Sequence, residues 1–345
     1  MPATVVRPAA GCRAKSAADP GQVRVAPGPK IVGQGTICGT AGNGRCAEAG
    51  AGIEASPGAQ TAGPGQASPV HPWGRVMTEA ASAGAILLEH PLSPYAQKNK
   101  IALREKGVAF AAVLPEGLGR SPEPGQGLTA NPRLEVPTLF HAGAAIFDST
   151  IIQEYIEETW PEPRLLPPTA AERARVRMIE EIMDTQYEAV VWGFMEVLGF
   201  GRVEGPQAAD LLDRGRGQLE GLHGWLEREL GDREWFNGEA FGWGDAAVAP
   251  FVLGATAYGA GPSRESALGR WLGRARARPS VALTAGEAAQ FAASAGTAAR
   301  DALQSGSYKR EYRDHRLEWM IRSGGIEVVR DGLAAGTIRF GTEIA

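Results

Sequence analysis

Three residue pairs stand at the ends of apolar runs, where a strand-like stretch meets a helix or a loop, and each brings groups that can hold a ligand. Ser93-Pro94 follows the apolar run Ala85 to Glu89 and opens the helix-forming stretch Pro94 to Lys106. A serine before a proline in the first helical position is N-cap chemistry, with a hydroxyl set beside the partial positive charge of a helix N-terminus. Asp148-Ser149 precedes a second helical stretch and offers a carboxylate and a hydroxyl at another N-terminus, where ligand anions are readily held. Val136-Pro137 opens an apolar run; an X-Pro bond is trans in about 95% of folded cases, so the dipeptide alone predicts nothing unusual. Taken by themselves, both serines read first as helix caps.

Other chemistries are excluded or disfavoured. Cys12, Cys38 and Cys46 all fall in the N-terminal stretch at spacings that match no zinc or redox pattern, so the body of the chain has no cysteine nucleophile, disulfide framework or thiolate-bound metal. The five histidines, at 71, 90, 141, 223 and 315, form no i, i+4 pair, and no metal site is expected. Residues 1 to 76 carry seven Lys and Arg against three Asp and Glu, so the whole-chain charge of −4 leaves −8 on residues 77 to 345. A body that acidic is not attracted to phosphate backbones, which argues against nucleic acid as a partner. No apolar run is long enough to span a bilayer and no secretory signal is recognisable, so no membrane partner and a cytoplasmic location are expected.

Residues 1–76 are rich in Gly, Ala, Pro and Ser without a sustained period of 2 or 3.6, and read as a disordered extension, with Met77 as the expected true start. Beyond it the pattern predicts a strand at 85–89, a helix at 94–106 ending before Gly107, a strand at 110–114, a Gly- and Pro-rich stretch to 130, and a strand at 136–140. A turn at Ala142-Gly143 leads to a hairpin partner at 144–147, and a helix at 149–160 sets Ile151, Ile152, Tyr155 and Ile156 on one face. Pro161 to Pro168 reads as a linker. After it Thr169-x-x-Glu172 is a capping box that opens a long helix to about Val197, with Val176, Ile179, Met183 and Val190 near one face. Further helices are predicted at 207–230, 245–259 and 266–277, with helical composition near 284–304 and 308–322 and a short strand at 337–340.

The run from Ser93 to Leu103 with Glu105-Lys106-Gly107, then Asn131-Pro132, Val136-Pro137-Thr138-Leu139 and Asp148-Ser149-Thr150-Ile151-Ile152-x-x-Tyr155-Ile156, resembles serine-type, bacterial-like cytosolic glutathione transferases in order and spacing. Trp235-Phe236-Asn237-Gly238 and Gly244-Asp245-Ala246-Ala247 extend the resemblance to about residue 260. It implies a thioredoxin-like α/β domain over 84–161, which binds glutathione, and an all-α domain over 169–340 with an extended C-terminal tail. It implies a homodimer as well, with glutathione as co-substrate and no metal.

The same resemblance assigns roles. Ser93 becomes the donor to the glutathione thiolate, with Tyr95 as its substitute. A free thiol with pKa near 8.5 is only a few per cent ionised at pH 7, and a hydroxyl donor at a helix N-terminus raises that fraction. Val136 and Pro137 become the cis-proline turn whose backbone meets the cysteinyl part of glutathione; Asp148 and Ser149 bind its γ-glutamyl end. Leu92, Met183, Tyr187 and Trp192 are candidates for an apolar second-substrate pocket. The implied activity is attack of the thiolate on an apolar electrophile; the alternative is a non-catalytic binding or scaffold protein of the same fold. Three departures from the family pattern stand out: Asp148 where a longer Glu is usual, Gly242 where a Ser or Thr cap is usual, and Glu135, whose charge would repel the glycyl carboxylate of glutathione if it pointed inward. Arg133 and Lys98 are the cations expected to offset Glu135.

Overall fold

The computed structural model describes residues 84–119 and 128–340; the cysteines and the N-terminal extension with Met77 lie outside the described residues. Strands β1 (Ala85–Leu88), β2 (Ala111–Val113), β3 (Thr138–His141) and β4 (Ala144–Phe147) form one sheet in the order β2-β1-β3-β4. β2 runs parallel to β1, and β3 runs antiparallel to both β1 and β4. The hairpin between β3 and β4 turns on Ala142 and Gly143, both at positive φ (48° and 80°), the backbone a two-residue primed turn requires. Alternation along β1 sends Ala85 and Leu87 to one face of the sheet and Ile86 and Leu88 to the other, and all four are buried.

Helix α1 (Pro94–Glu105) ends at Gly107, whose φ of 66° lets its N–H turn back to the Arg104 carbonyl. It is buried over Tyr95 to Leu103, because it lies between the sheet domain and the helical domain. Its polar residues are therefore all engaged: Lys98 with Glu180 and Asp184, Asn99 with the Ser149 carbonyl at 2.8 Å, and Lys100 with Glu89 at 2.8 Å. In α2 (Ser149–Thr159) Ile152 and Ile156 face the core, whereas Ile151 is 56% exposed; one residue's rotation about the helix carries it off the expected apolar face.

The expected long helix is segmented. α3 (Ala170–Ile182), capped by the Thr169 hydroxyl, passes through a wide π turn at Met183–Tyr187 into α4 (Glu188–Phe194), and a second π turn comes at Met195–Gly199. Each turn adds a residue to the helical repeat and rotates the next segment about the axis. α5 (Gly205–Leu230), α6 (Trp243–Ala257) and α7 (Ala267–Ala277) complete the helical core around Tyr187, Phe236, Phe251 and Trp271. α6 is apolar on all sides and packs on α1, α3 and α7. Asp245, wholly buried, accepts from the backbone of Phe236 (2.9 Å) and Gly242 (3.1 Å) and from the Trp271 indole (2.8 Å). Gly242 stands there for a steric reason: a Cβ would come within 1.9 Å of the Asn237 amide and 2.4 Å of the Leu165 carbonyl.

The tail has its own structure. α8 (Pro279–Ala295) packs on α1, and α9 (Ala298–Gln304) leads to β5 (Arg310–Glu311). α10 (Asp314–Arg322) and α11 (Ile326–Ala334) come next, and β6 (Ile338–Arg339) pairs parallel with β5. The helical stretch expected from 308 thus begins at 314, and α11 was not legible at all. α10 lies on α4, where Gly193 makes room for it: a Cβ there would fall 2.1 Å from the Trp319 ring.

Candidate functional site

The first turn of α1 carries two hydroxyls with different commitments. Ser93 is the N-cap; its oxygen accepts from the Ala96 N–H at 3.4 Å, a bond that uses a lone pair and leaves the hydroxyl proton to other acceptors. Tyr95 is 7% exposed and donates to the Asp184 carbonyl at 2.7 Å, with the Arg313 guanidinium 5.1 Å over its ring. Burial, reinforced by Glu188, drives the phenol well above its usual pKa, so it stays protonated.

Two further corners approach this turn. The loop from Asn131 is tied to itself, the Asn131 amide donating to the Glu135 carbonyl at 3.0 Å, and it ends in a cis Val136–Pro137 bond. At the β4–α2 junction Asp148 has φ 71°, a costly conformation for a residue with a Cβ and one that collects at functional sites. Its carboxylate accepts from the Thr150 N–H at 3.1 Å and stands 3.5 Å from the half-exposed Arg133. Ser149 beside it is 6% exposed.

These corners enclose a cavity of about 310 Å³. Tyr95, Val136, Pro137, Asp148 and Ser149 line it; Ser93 is not among the described residues that do. The opposite wall comes from residues that sequence reasoning missed: Glu181, Asp184 and Thr185 of the helical domain, and Arg313 and His315 of the tail. Of these, Asp184 had a signal in the sequence, since a lysine on the buried side of a helix demands an acid. Lys98 meets Glu180 and Asp184 at 2.5 Å each and the Thr150 hydroxyl at 3.3 Å. Burial works against the lysine charge, but the two acids hold its pKa above the ordinary value; burial also raises the Asp184 carboxyl to about 6. Lys98 is therefore spent inside the fold. Arg313 and His315 had no signal, because nothing in the sequence says where the tail returns.

None of the four residues expected around an apolar second pocket, Leu92, Met183, Tyr187 and Trp192, is among the described residues that line this cavity. Met183 and Tyr187 are fully buried in the helical core, and Trp192, 3% exposed, is covered by Tyr312 and by the guanidinium groups of Arg310 and Arg316. Leu92 is on the surface, 37% exposed. Among the described residues, no group of three or more His, Cys, Asp or Glu is placed to hold a metal, and no helix is long and apolar enough to cross a membrane.

Residues 92–159 match the family model described as glutathione S-transferase, N-terminal domain, and residues 209–277 match that for the C-terminal domain. The chain is 35% identical to glutathione S-transferase U28 of Arabidopsis thaliana, over 48% of this chain and 70% of that protein. It is 34% identical to the probable glutathione S-transferase GSTU1 of Oryza sativa subsp. japonica, over 48% and 72%. Among solved structures, a glutathione S-transferase from Rhodospirillum rubrum F11 is similar at 28% identity with a TM-score of 0.51, covering 58% of this chain and 91% of that one.

Proposed function

Since the chain belongs to the glutathione S-transferase family, we propose that it is a glutathione transferase and that the peptide lies in the cavity between the Val136–Pro137 turn and the N-terminus of α2. The observation that carries this reading is the convergence on one cavity of the Val136–Pro137 corner and an acid-serine helix N-terminus, the acid at positive φ. Ser149, through its hydroxyl and its own N–H at the start of α2, receives the γ-glutamyl carboxylate, Asp148 its ammonium, and the Val136 backbone the cysteinyl unit. Ser93, whose cap bond leaves its proton available, donates to the thiolate, and the protein works as a serine-type enzyme. Tyr95 is a poorer donor, since its proton is committed to the Asp184 carbonyl. The ionised sulfur attacks an electrophilic carbon; the S–C bond forms, and the displaced electron pair leaves with the departing group or is protonated. The electrophile reaches the thiolate past the exposed Leu92.

Two observations favour a second reading, glutathione binding without turnover: Ser93 is off the cavity lining and Tyr95 is already hydrogen-bonded. Retention on immobilised glutathione followed by turnover of a generic activated aryl halide separates the two. Retention with turnover is expected, retention alone favours the second reading, and failure to bind overturns both. A homodimer is proposed from the family; light scattering at micromolar concentration is expected to give twice the 36.3 kDa chain mass.

A further inference from the structure

Glu135 is the residue whose charge opposes a glutathione carboxylate, and neither of the two cations expected to offset it forms an ion pair with it. Lys98 is completely buried against Glu180 and Asp184. Arg133 is half-exposed and stands over Asp148 at 3.5 Å, acting on Glu135 only at longer range. The group that meets Glu135 comes from 178 residues further along the chain: the Arg313 guanidinium pairs directly with its carboxylate and also reaches Glu311 at 3.3 Å.

Several contacts hold Arg313 in place. Glu311, its second partner, also pairs with Arg339 of β6. Just beyond it, Glu188 of α4 receives His315 at 3.1 Å and Arg316 at 2.5 Å, pinning the start of α10. On the other side the Lys309 N–H donates to the Gly119 carbonyl at 2.9 Å, so residues 309–316 bridge the loop after β2 and the helical domain. This segment lies beyond residue 277, where the match to the C-terminal family model ends.

We propose that Arg313 is a positioning residue of the glutathione site: it neutralises the Glu135–Glu311 acid pair and fixes the loop ending in Val136, so that the glycyl carboxylate can lie beside Glu135. The inference rests on the proposed glutathione reading. It makes the C-terminal tail a working part of the binding site in the sheet domain, with a carboxylate-bearing peptide as the ligand it admits.

The test is calorimetric titration of the full chain at pH 9, where Glu135 and Glu311 no longer share a proton, with S-methylglutathione, which has no thiol to titrate, and with the ethyl ester of its glycyl carboxylate. Arg313→Gln is expected to lose at least tenfold in affinity for the free acid and less than threefold for the ester, because only the acid meets the exposed carboxylates. Arg313→Lys is expected to remain within about threefold of wild type for both. Equal losses for acid and ester would mean a structural role alone and overturn the proposal, as would no loss for either. Should Arg313→Gln not fold, Glu135→Gln carries the same test: it frees Arg313 from one acid and is expected to raise the acid-over-ester preference threefold or more, and an unchanged preference overturns the proposal. If the wild-type chain binds neither ligand, the glutathione reading itself fails; if it binds both and no variant alters the preference, only this inference fails.

Discussion

The hydroxyl of Tyr95 donates to the backbone carbonyl of Asp184 at 2.7 Å, tying the first turn of α1 to the helical domain two residues after Ser93 caps the same helix. The two hydroxyls of this turn therefore have separable jobs. Tyr95→Phe removes an interdomain bond and is expected to cost about 1 kcal/mol of stability with little change in the chemical step.

Ser93→Ala is expected to cost about 1 kcal/mol through the lost cap. If the hydroxyl also serves the thiolate, the pKa of bound thiol rises by a unit or more and turnover near pH 7 falls at least about tenfold, while affinity changes less. Ultraviolet titration of the bound thiolate beside a pH–rate profile reads both. An unchanged thiol pKa and rate would remove Ser93 from the mechanism.

Glu188 gives the tail an acid-sensitive anchor. Burial pushes its carboxyl up, but Arg316 and His315 outweigh this and hold it at about 2, below the ordinary 4.5. A group depressed in the folded state stabilises above its unfolded pKa, so this contribution, on the order of 3 kcal/mol, is present above about pH 4.5 and lost as pH falls toward 2. Urea midpoints at pH 6 and pH 3 should differ more in wild type than in Glu188→Gln, and equal pH dependence in the two would refute the anchor.

Glu135 has the opposite sign. Burial and a hydrogen bond with Glu311 raise it to about 8, against the pull of Arg313 and Arg133. Its contribution is complete below its unfolded pKa and declines as pH rises through 8, where the shared proton is lost and two carboxylates face each other. Hydrogen exchange of residues 309–316 is expected to quicken between pH 7 and pH 9, after correction for the intrinsic rate, and Glu135→Gln is expected to flatten that rise.

Asp245→Ala strands the Phe236 and Gly242 N–H groups and the Trp271 indole N–H, and is expected to cost about 3 kcal/mol or more. Gly242→Ser, which restores the usual capping residue, is expected to destabilise by about 1–3 kcal/mol, because its Cβ meets Asn237 and the Leu165 carbonyl. Thermal melts check both; a stabilised Gly242→Ser would show that the packing there yields.

The local order of the sheet domain was legible because it is written in local chemistry. The strand pattern, Ser93-Pro94 and Asp148-Ser149 as caps, and Ala142-Gly143 as a turn all depend on residues within a few positions of one another. The capping box at Thr169 is of the same kind. The far wall of the cavity was not legible. Met183, Tyr187 and Trp192 gave only apolar character, which a core and a pocket share, and it is Glu181, Asp184 and Thr185 of that helix that meet the cavity. Gly242 looked like a missing hydroxyl until Asn237 and Leu165 were seen filling its space. Arg313 shows the limit most plainly: its partner Glu135 is 178 positions away, and no period or motif encodes a contact made only when α10 docks on α4 and carries the arginine back to the sheet domain. Caps and turns are set by neighbours in sequence, whereas the charge balance of the site is set by neighbours in space.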